Sequence, residues 1–402
     1  MITCPKVFYS RVSRLEHRLP PCTAPLRVLR LRDCFTRLSF TEELPTALSD
    51  LPGSIRESKS RIIDWKVWAR GQAEYAVKNR VDHVDNPSLE NLLLELDWLL
   101  EDNTDAVKDE SSLLPESLIQ PCSASRPSSE HSWMRISLEE LSALWRRRIF
   151  DRVPLQYITH AAHWRDLVLL VTPEVLIPRP ETELVVDFAL EAHNKFRSST
   201  DVDTLNHLER GAWLDLGTGS GAIAIALSRS LKLEPLDSKP RVYAVDVSTA
   251  ACVVANHNIQ RYSMQHIIQL VQSSWFSAFG DGEERIRFAG IISNPPYIPS
   301  EQLKLLQPEV QCEPALALDG GLGAGVDSLS EICSGAARYL LDGGVLILET
   351  HGCDQSALVQ RKLLKSGSFK DIEIRCDYAG SSRFVIARRH EARAIISSTA
   401  VC

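Results

Sequence analysis

"AWLDLGTGSGAIAIALSRS", residues 212–230, decides the fold. An apolar run of strand length ends in Gly217-Thr218-Gly219-Ser220-Gly221, and an alanine-rich helical run follows at once. Glycines in such a turn let the backbone approach a ligand closely, and the free N–H groups of a helix start favour an anionic or carbonyl-rich group. Gly217, Gly219 and Ala222 also satisfy the dinucleotide fingerprint G-x-G-x-x-G/A. A nicotinamide dinucleotide, S-adenosylmethionine and a plain glycine turn therefore all remain open at this loop.

Working outward, strand and helix patterns alternate. "RVYAVDVSTAACVVANHNI" (241–259) reads as strand, acidic tip and helix, and "HIIQLVQSSWF" (266–276) as a strand with a polar tail. "FAGIISNPPY" (288–297) follows, then a helix around "SLSEICSGAARYLL" (328–341) and a strand at "GGVLILET" (343–350). "IEIRCDY" and "RFVIARR" close the series as an antiparallel pair. Such alternation is what a doubly wound α/β sheet produces.

Upstream the pattern is helical. "RIIDWKVWARGQAEYAV" (61–77) precedes "NPSLENLLLELDWLL" (86–100), where Pro87-Ser88 supplies a start and Leu92, Leu93, Leu96, Leu99 and Leu100 share one face. Ser137 and Glu140 stand at capping-box spacing ahead of another helix. Its basic run Arg146-Arg147-Arg148 reads as a solvated face, or near a cleft as a seat for an acidic group. "HWRDLVLLVTPEVLIPRPETE" (163–183) suggests a hairpin and a linker into a helix beginning near Glu181. The expected organisation is a helical domain over 55–155 with a polar, mobile insertion at about 102–132. A hairpin and linker over 156–183, an α/β domain over 184–390 and a tail over 391–402 complete it.

The first forty residues carry eight Lys and Arg against Glu16 and Asp33, with Ser, Thr and Pro between short apolar pieces. That Arg-rich, acid-poor composition, without a compact apolar core, predicts an organellar transit peptide over about 1–45; a disordered basic tail is the alternative. The formal net charge is -7, and removing those eight positive and two negative charges takes it to -13. Either value counts against a protein that coats nucleic acid. No window is apolar enough to span a membrane. The ten cysteines show no metal-ligand spacing and read as mostly buried or inert thiols, so no metal is expected.

Two further features carry chemistry. Asp246 ends "VYAVD", where a carboxylate can accept from both hydroxyls of a ribose or cap the next helix; it lies further from the glycine loop than the usual ~20 residues, with "LKLEPLDSKPR" as the extra stretch. Asn294-Pro295-Pro296-Tyr297 stops a buried strand with a rigid turn whose carbonyls stay free to accept. Asn294 adds a side-chain acceptor and Tyr297 a π face, a set suited to a planar group bearing an NH2.

In the order "PLQYI", "LIPRPETE", "LDLGTGSGAIAIAL", "VDVS", "SSWF", "SNPPYI" and "EPALALDGG", the chain resembles the HemK/PrmC family of protein-(glutamine-N5) methyltransferases over about residues 135 to 388. The resemblance implies a Rossmann-like class I S-adenosylmethionine-dependent methyltransferase with a small helical N-terminal domain. It implies a class 1 peptide-chain release factor as protein substrate, methylated on the glutamine amide of its Gly-Gly-Gln loop. By the same resemblance Gly217, Thr218, Gly219, Ser220 and Gly221 line the methionine part of the cofactor, Asp246 its ribose and Trp275 its adenine. Asn294, Pro295, Pro296 and Tyr297 hold the glutamine amide, with Asn294 also near the methyl donor. Ser274 stands where the family usually has Asp, and "LETHG" departs from the usual Glu-x-Gly.

The expected protein is a monomer of the mitochondrial matrix or plastid stroma, without nucleic acid or membrane partners. An amino-group methyltransferase of rRNA, tRNA or DNA, and a non-catalytic interaction protein of the same fold, are the alternatives.

Overall fold

A computed structural model describes residues 44–79, 86–105, 131–197, 207–234, 236, 239–282 and 285–390. The first forty-three residues, most of the expected insertion and the tail lie outside them. Leu44, at the end of the stretch read as a transit peptide, packs against the apolar cluster that contains Tyr157 and Val171.

Helices α1 (Lys59–Lys78), α2 (Leu89–Asn103) and α3 (Leu138–Ile149) close on one apolar core. The leucine face of α2 supplies Leu92, Leu96 and Leu99, all buried. Trp145 and Trp65 dispose of their indole N–H groups on Ala69 O (2.9 Å) and Ser142 Oγ (2.8 Å), so both rings bury without an unmet donor. Ser88 caps α2, and Ser137 with Glu140 forms the expected capping box of α3.

Three findings depart from the sequence reading of this half. Ile55–Ser58 (β1) pairs antiparallel with His131–Met134 (β2), so the helical half contains a ribbon, and residues 131 and 132 belong to it rather than to an insertion. Residues 102 and 103 complete α2. Arg148 is not solvated: it is buried between Glu95 and Glu309.

A short helix α4 (Leu155–Thr159) leads into the hairpin β3 (Ala161–Trp164) and β4 (Leu167–Leu170). Helix α5 (Glu183–Arg197) then enters the α/β half, whose strands are β5 (Trp213–Leu216), β6 (Val242–Asp246), β7 (Ile268–Gln272) and β8 (Phe288–Ser293). After the two-residue strand β9 (Ile298–Pro299) and β10 (Asp319–Gly321) come β11 (Leu340–Glu349), β12 (Phe369–Cys376) and β13 (Ser382–Arg389). Helices α6 (Ala222–Ser230), α7 (Thr249–Arg261), α8 (Pro308–Gln311), α9 (Asp327–Tyr339) and α10 (Cys353–Ser366) alternate with them.

The main sheet runs β12-β13-β11-β8-β5-β6-β7, with β11, β8, β5, β6 and β7 parallel and β13 antiparallel to its neighbours. β5 and β8 are buried along their whole length, as strands covered on both faces must be. Successive strands leave β5 toward β7 on one side, whereas β8 and β11 lie on the other. The crevice for a ligand therefore opens at the carboxyl ends of β5 and β8.

Of the described cysteines, all unbridged, Cys252 and Cys333 are buried, Cys312 is half-buried, and Cys353 and Cys376 are exposed. Among the described residues no helix is long and apolar enough to cross a membrane.

Candidate active site

The glycine loop leaves β5 with Gly217, Gly219 and Gly221 all at positive φ (+74°, +54° and +84°), where a side chain would be strained. The amides of Gly217 and Thr218 both donate to Val245 O at 2.9 Å, which clamps the loop against the end of β6. Thr218 turns inward and donates to Asp215 Oδ2 at 2.7 Å. Asp215 is fully buried; burial pushes its carboxyl up to about 7, against the opposing Thr218 hydrogen bond. Ser220 O accepts from Asn258 Nδ2 (2.9 Å), and the same amide group pairs with Leu170 in both directions, tying the loop to the β3–β4 hairpin.

Asp246 receives Gly219 N on one oxygen and Ser248 N on the other, each at 2.9 Å. The α7 cap is Ser248, whose Oγ accepts from Ala251 N, so Asp246 orients the turn rather than capping the helix. Its carboxyl is raised, chiefly by burial. Trp275 has φ of +43°, an unfavourable value for a bulky residue that holds its ring beside Gly217.

A cavity of about 460 Å³ joins these parts. Gly217, Gly219, Asp246, Trp275, Asn294 and Pro296 line it, together with Pro314, Leu316 and Ala317 from the segment after α8. A Cβ at Gly219 would meet no atom within 4 Å, so the loop leaves open space beside the carboxylate. Bare backbone, a hydroxyl-binding carboxylate and a flat indole fit a nucleoside with an amino-acid tail. Thr218, Ser220, Gly221, Pro295 and Tyr297 are not among the residues that line this cavity.

Asn294 sits where β8 stops. Its Nδ2 donates to Thr182 Oγ1 (3.2 Å), Thr182 donates to Glu349 Oε2 (2.8 Å), and Tyr297 OH donates to Glu349 Oε1 (3.2 Å). Glu349 is buried and burial pushes its carboxyl up to about 7; burial likewise raises the Tyr297 phenol, with the Glu349 charge adding to it. Tyr297 is thus an anchor as well as an aromatic face. Among the described residues the Pro295 carbonyl accepts from no protein donor, although Pro295 is buried.

The backbone after Tyr297 is pinned by a glycine-rich segment. Gln355 Nε2 donates to Tyr297 O (2.7 Å) and Ala324 O (2.6 Å), and β9 pairs with β10. A Cβ at Gly320 would stand 2.6 Å from Tyr297 Cα and 2.4 Å from Gly325 O, so this crossing admits no side chain.

The methyltransferase small domain family matches residues 194–310. The release factor glutamine methyltransferase of Gloeobacter violaceus is 43% identical over 249 residues, 62% of this chain and 79% of that protein. Its namesake in Synechocystis sp. is 36% identical over 73% of this chain and 89% of its own length. The chain belongs to the release factor glutamine methyltransferase family. The Vibrio cholerae protein of the same name is 37% identical over 63% of this chain and 78% of its length. A solved methyltransferase from Pyrococcus furiosus aligns with TM-score 0.37 at 16% identity, over 56% of this chain and 90% of that one. The sheet order and family together give this methyltransferase a Rossmann-like class I fold.

Sequence reasoning quoted "LIPRPETE" and "LETHG" but gave Thr182 and Glu349 no part. The signal present was that the first belongs to the stretch resembling the family and the second departs from its usual Glu-x-Gly.

Proposed function

We propose that this protein methylates the side-chain amide nitrogen of the glutamine in the Gly-Gly-Gln loop of a class 1 peptide-chain release factor. The observation that carries the reading is Asn294, on the wall of the same cavity as Gly217 and Asp246, beside the unpartnered Pro295 carbonyl. S-adenosylmethionine, when bound, supplies an electrophilic methyl group on a sulfonium.

The chain's own residues do the rest. Gly217 and Gly219 offer bare backbone to the methionine part, Asp246 accepts from the ribose, and Trp275 covers the adenine. Asn294 Oδ1 and Pro295 O accept the two N–H bonds of the glutamine amide. An amide nitrogen is a poor nucleophile, because its lone pair is delocalised. Holding it in line with the methyl supplies up to roughly 7 to 11 kcal/mol relative to free reactants, and the two acceptor dipoles favour the positive charge that grows on nitrogen. Leu316 and Pro314 exclude water from the cofactor side.

The Arg-rich first forty residues support action in an organelle with its own translation system, the mitochondrial matrix or plastid stroma, where the enzyme works as a monomer. Methyl transfer from labelled S-adenosylmethionine to a purified organellar release factor, and to the same factor with the Gly-Gly-Gln glutamine replaced, tests the reading. Labelling of only the intact factor supports it. Labelling of both factors equally, or of RNA instead, overturns it.

A further inference from the structure

We propose that Thr182 and Glu349 are positioning residues that decide which end of the Asn294 amide faces the acceptor. The inference rests on the function proposed above and assigns work to two motifs that function left idle.

The argument is one of hydrogen-bond direction. A carboxylate has no proton to give, so Glu349 can only accept from its two neighbours, Thr182 Oγ1 at 2.8 Å and Tyr297 OH at 3.2 Å. Thr182 has a single hydroxyl proton, and it is committed to Glu349. Toward Asn294, 3.2 Å away, Thr182 can therefore only accept, and the group that donates to it must be Nδ2. The end of the amide left for the cavity is Oδ1, an acceptor. With the polarity reversed, an NH2 would face the NH2 of the substrate amide, and the clamp would repel what it must hold. The direction is thus fixed from a buried charge outward through one hydroxyl.

The charge is isolated enough for this role. Glu349 is 1% exposed at the end of β11. The groups that face it are Tyr297 from the turn after β8, Thr182 and Glu181 from the turn before α5, and Arg383 from β13; Arg383 itself donates to Asp377 at 2.9 Å. Protonation would give Glu349 a hydrogen of its own to donate, free the Thr182 proton for Asn294, and let the amide turn round. Burial pushes the Glu349 carboxyl up to about 7, so that loss falls within the working range of pH.

The test compares Thr182→Val, Thr182→Ser and Glu349→Gln with the wild type on full-length protein, at saturating S-adenosylmethionine. Melting temperature and S-adenosylhomocysteine affinity are measured alongside turnover. The expected result is that Thr182→Val loses roughly 10²-fold in kcat with cofactor affinity unchanged, while Thr182→Ser, which keeps the hydroxyl, stays close to wild type. Wild-type kcat should rise with pH through about 7, whereas Glu349→Gln should stay low and flat. Should Thr182→Val fail to fold, the pH profile of Glu349→Gln decides alone. Wild-type kcat in Thr182→Val, or a Glu349→Gln profile that rises like the wild type, overturns the inference. A wild-type enzyme that leaves the release factor unmethylated overturns instead the function on which it rests.

Discussion

Arg148 Nη1 of α3 stands 3.0 Å from Glu309 Oε1 of α8, joining the helical half to the helix just ahead of the cavity-lining segment at Pro314. The same guanidinium holds Glu95 of α2, and Arg152 adds a second grip on Glu309 at 2.9 Å. Burial works to raise the Glu309 carboxyl; the Arg152 hydrogen bond and the charges of Arg148 and Arg152 outweigh it, leaving it below its usual range. Since its folded value is depressed, this group's stabilisation is present above the ordinary carboxylate range and lost as pH falls through the folded value. Glu309→Gln should cost about 1.5 to 3 kcal/mol, because it removes the carboxylate shared by Arg148 and Arg152 and leaves Glu95 as the one charged partner of Arg148 among the described residues. Urea unfolding at neutral and acid pH checks this: the mutant deficit should shrink in acid.

Asn294→Ala should reduce kcat by roughly 10² to 10³-fold by removing one acceptor of the amide clamp. Its S-adenosylhomocysteine affinity should stay within about twofold of wild type, since the cofactor's main contacts lie elsewhere in the proposed site. Single-turnover kinetics with calorimetry separates the two quantities.

Asp246→Ala should weaken cofactor binding by about 1.5 to 3 kcal/mol, the usual worth of hydrogen bonds to a charged group. It also releases the amides of Gly219 and Ser248 from their partner. Titration calorimetry with S-adenosylhomocysteine gives the number directly.

Gly320→Ala should destabilise the fold by about 1 to 3 kcal/mol through overpacking. Besides Gly325 O, the atoms it strikes belong to Tyr297, so turnover should fall further than stability alone explains. Gly323→Ala is the control for backbone strain without collision, because no atom stands within 4 Å of its Cβ direction although its φ is +69°.

Glu349→Gln should gain stability while losing activity. A carboxyl whose folded value is raised stabilises the fold below its unfolded value, and this advantage is lost as pH rises to the folded one. At pH 8 the wild type therefore carries a buried charge at a cost of up to about 3 kcal/mol, which the neutral isostere avoids. Chemical denaturation at pH 5 and pH 8 should show a wild-type loss absent from the mutant.

Local patterns carried most of the architecture. The strand-loop-helix unit at Gly217, the strand ending at Asp246 and the leucine face of α2 are each written within a dozen or so residues, where periodicity and turn chemistry act. What escaped depends on distant partners. β1 is four residues, Ile55–Ser58, with little strand preference of its own, and it exists because His131–Met134 pairs with it. Arg148 looked solvated in a basic triplet because its partners lie 53 and 161 residues away. Thr182 meets Asn294 and Glu349 across 112 and 167 residues, a triangle no local window contains. Gly217, Gly219, Asp246, Trp275 and Asn294 line the cavity, whereas Thr218, Ser220 and Gly221 do not; Thr218 and Ser220 instead make hydrogen bonds that fix the loop. Trp275 took its φ of +43° without any cue in "SSWF".

The two prolines after Asn294 have one more effect. They remove two successive N–H groups, so in the proposed complex the turn would offer the substrate acceptors only. A glutamine amide brings two hydrogens to it, and a once-methylated amide brings one. The product therefore leaves one acceptor unmet and places a methyl where a hydrogen had been, so the same turn that grips the reactant loosens its hold once the reaction is done and disfavours a second methyl on the same nitrogen.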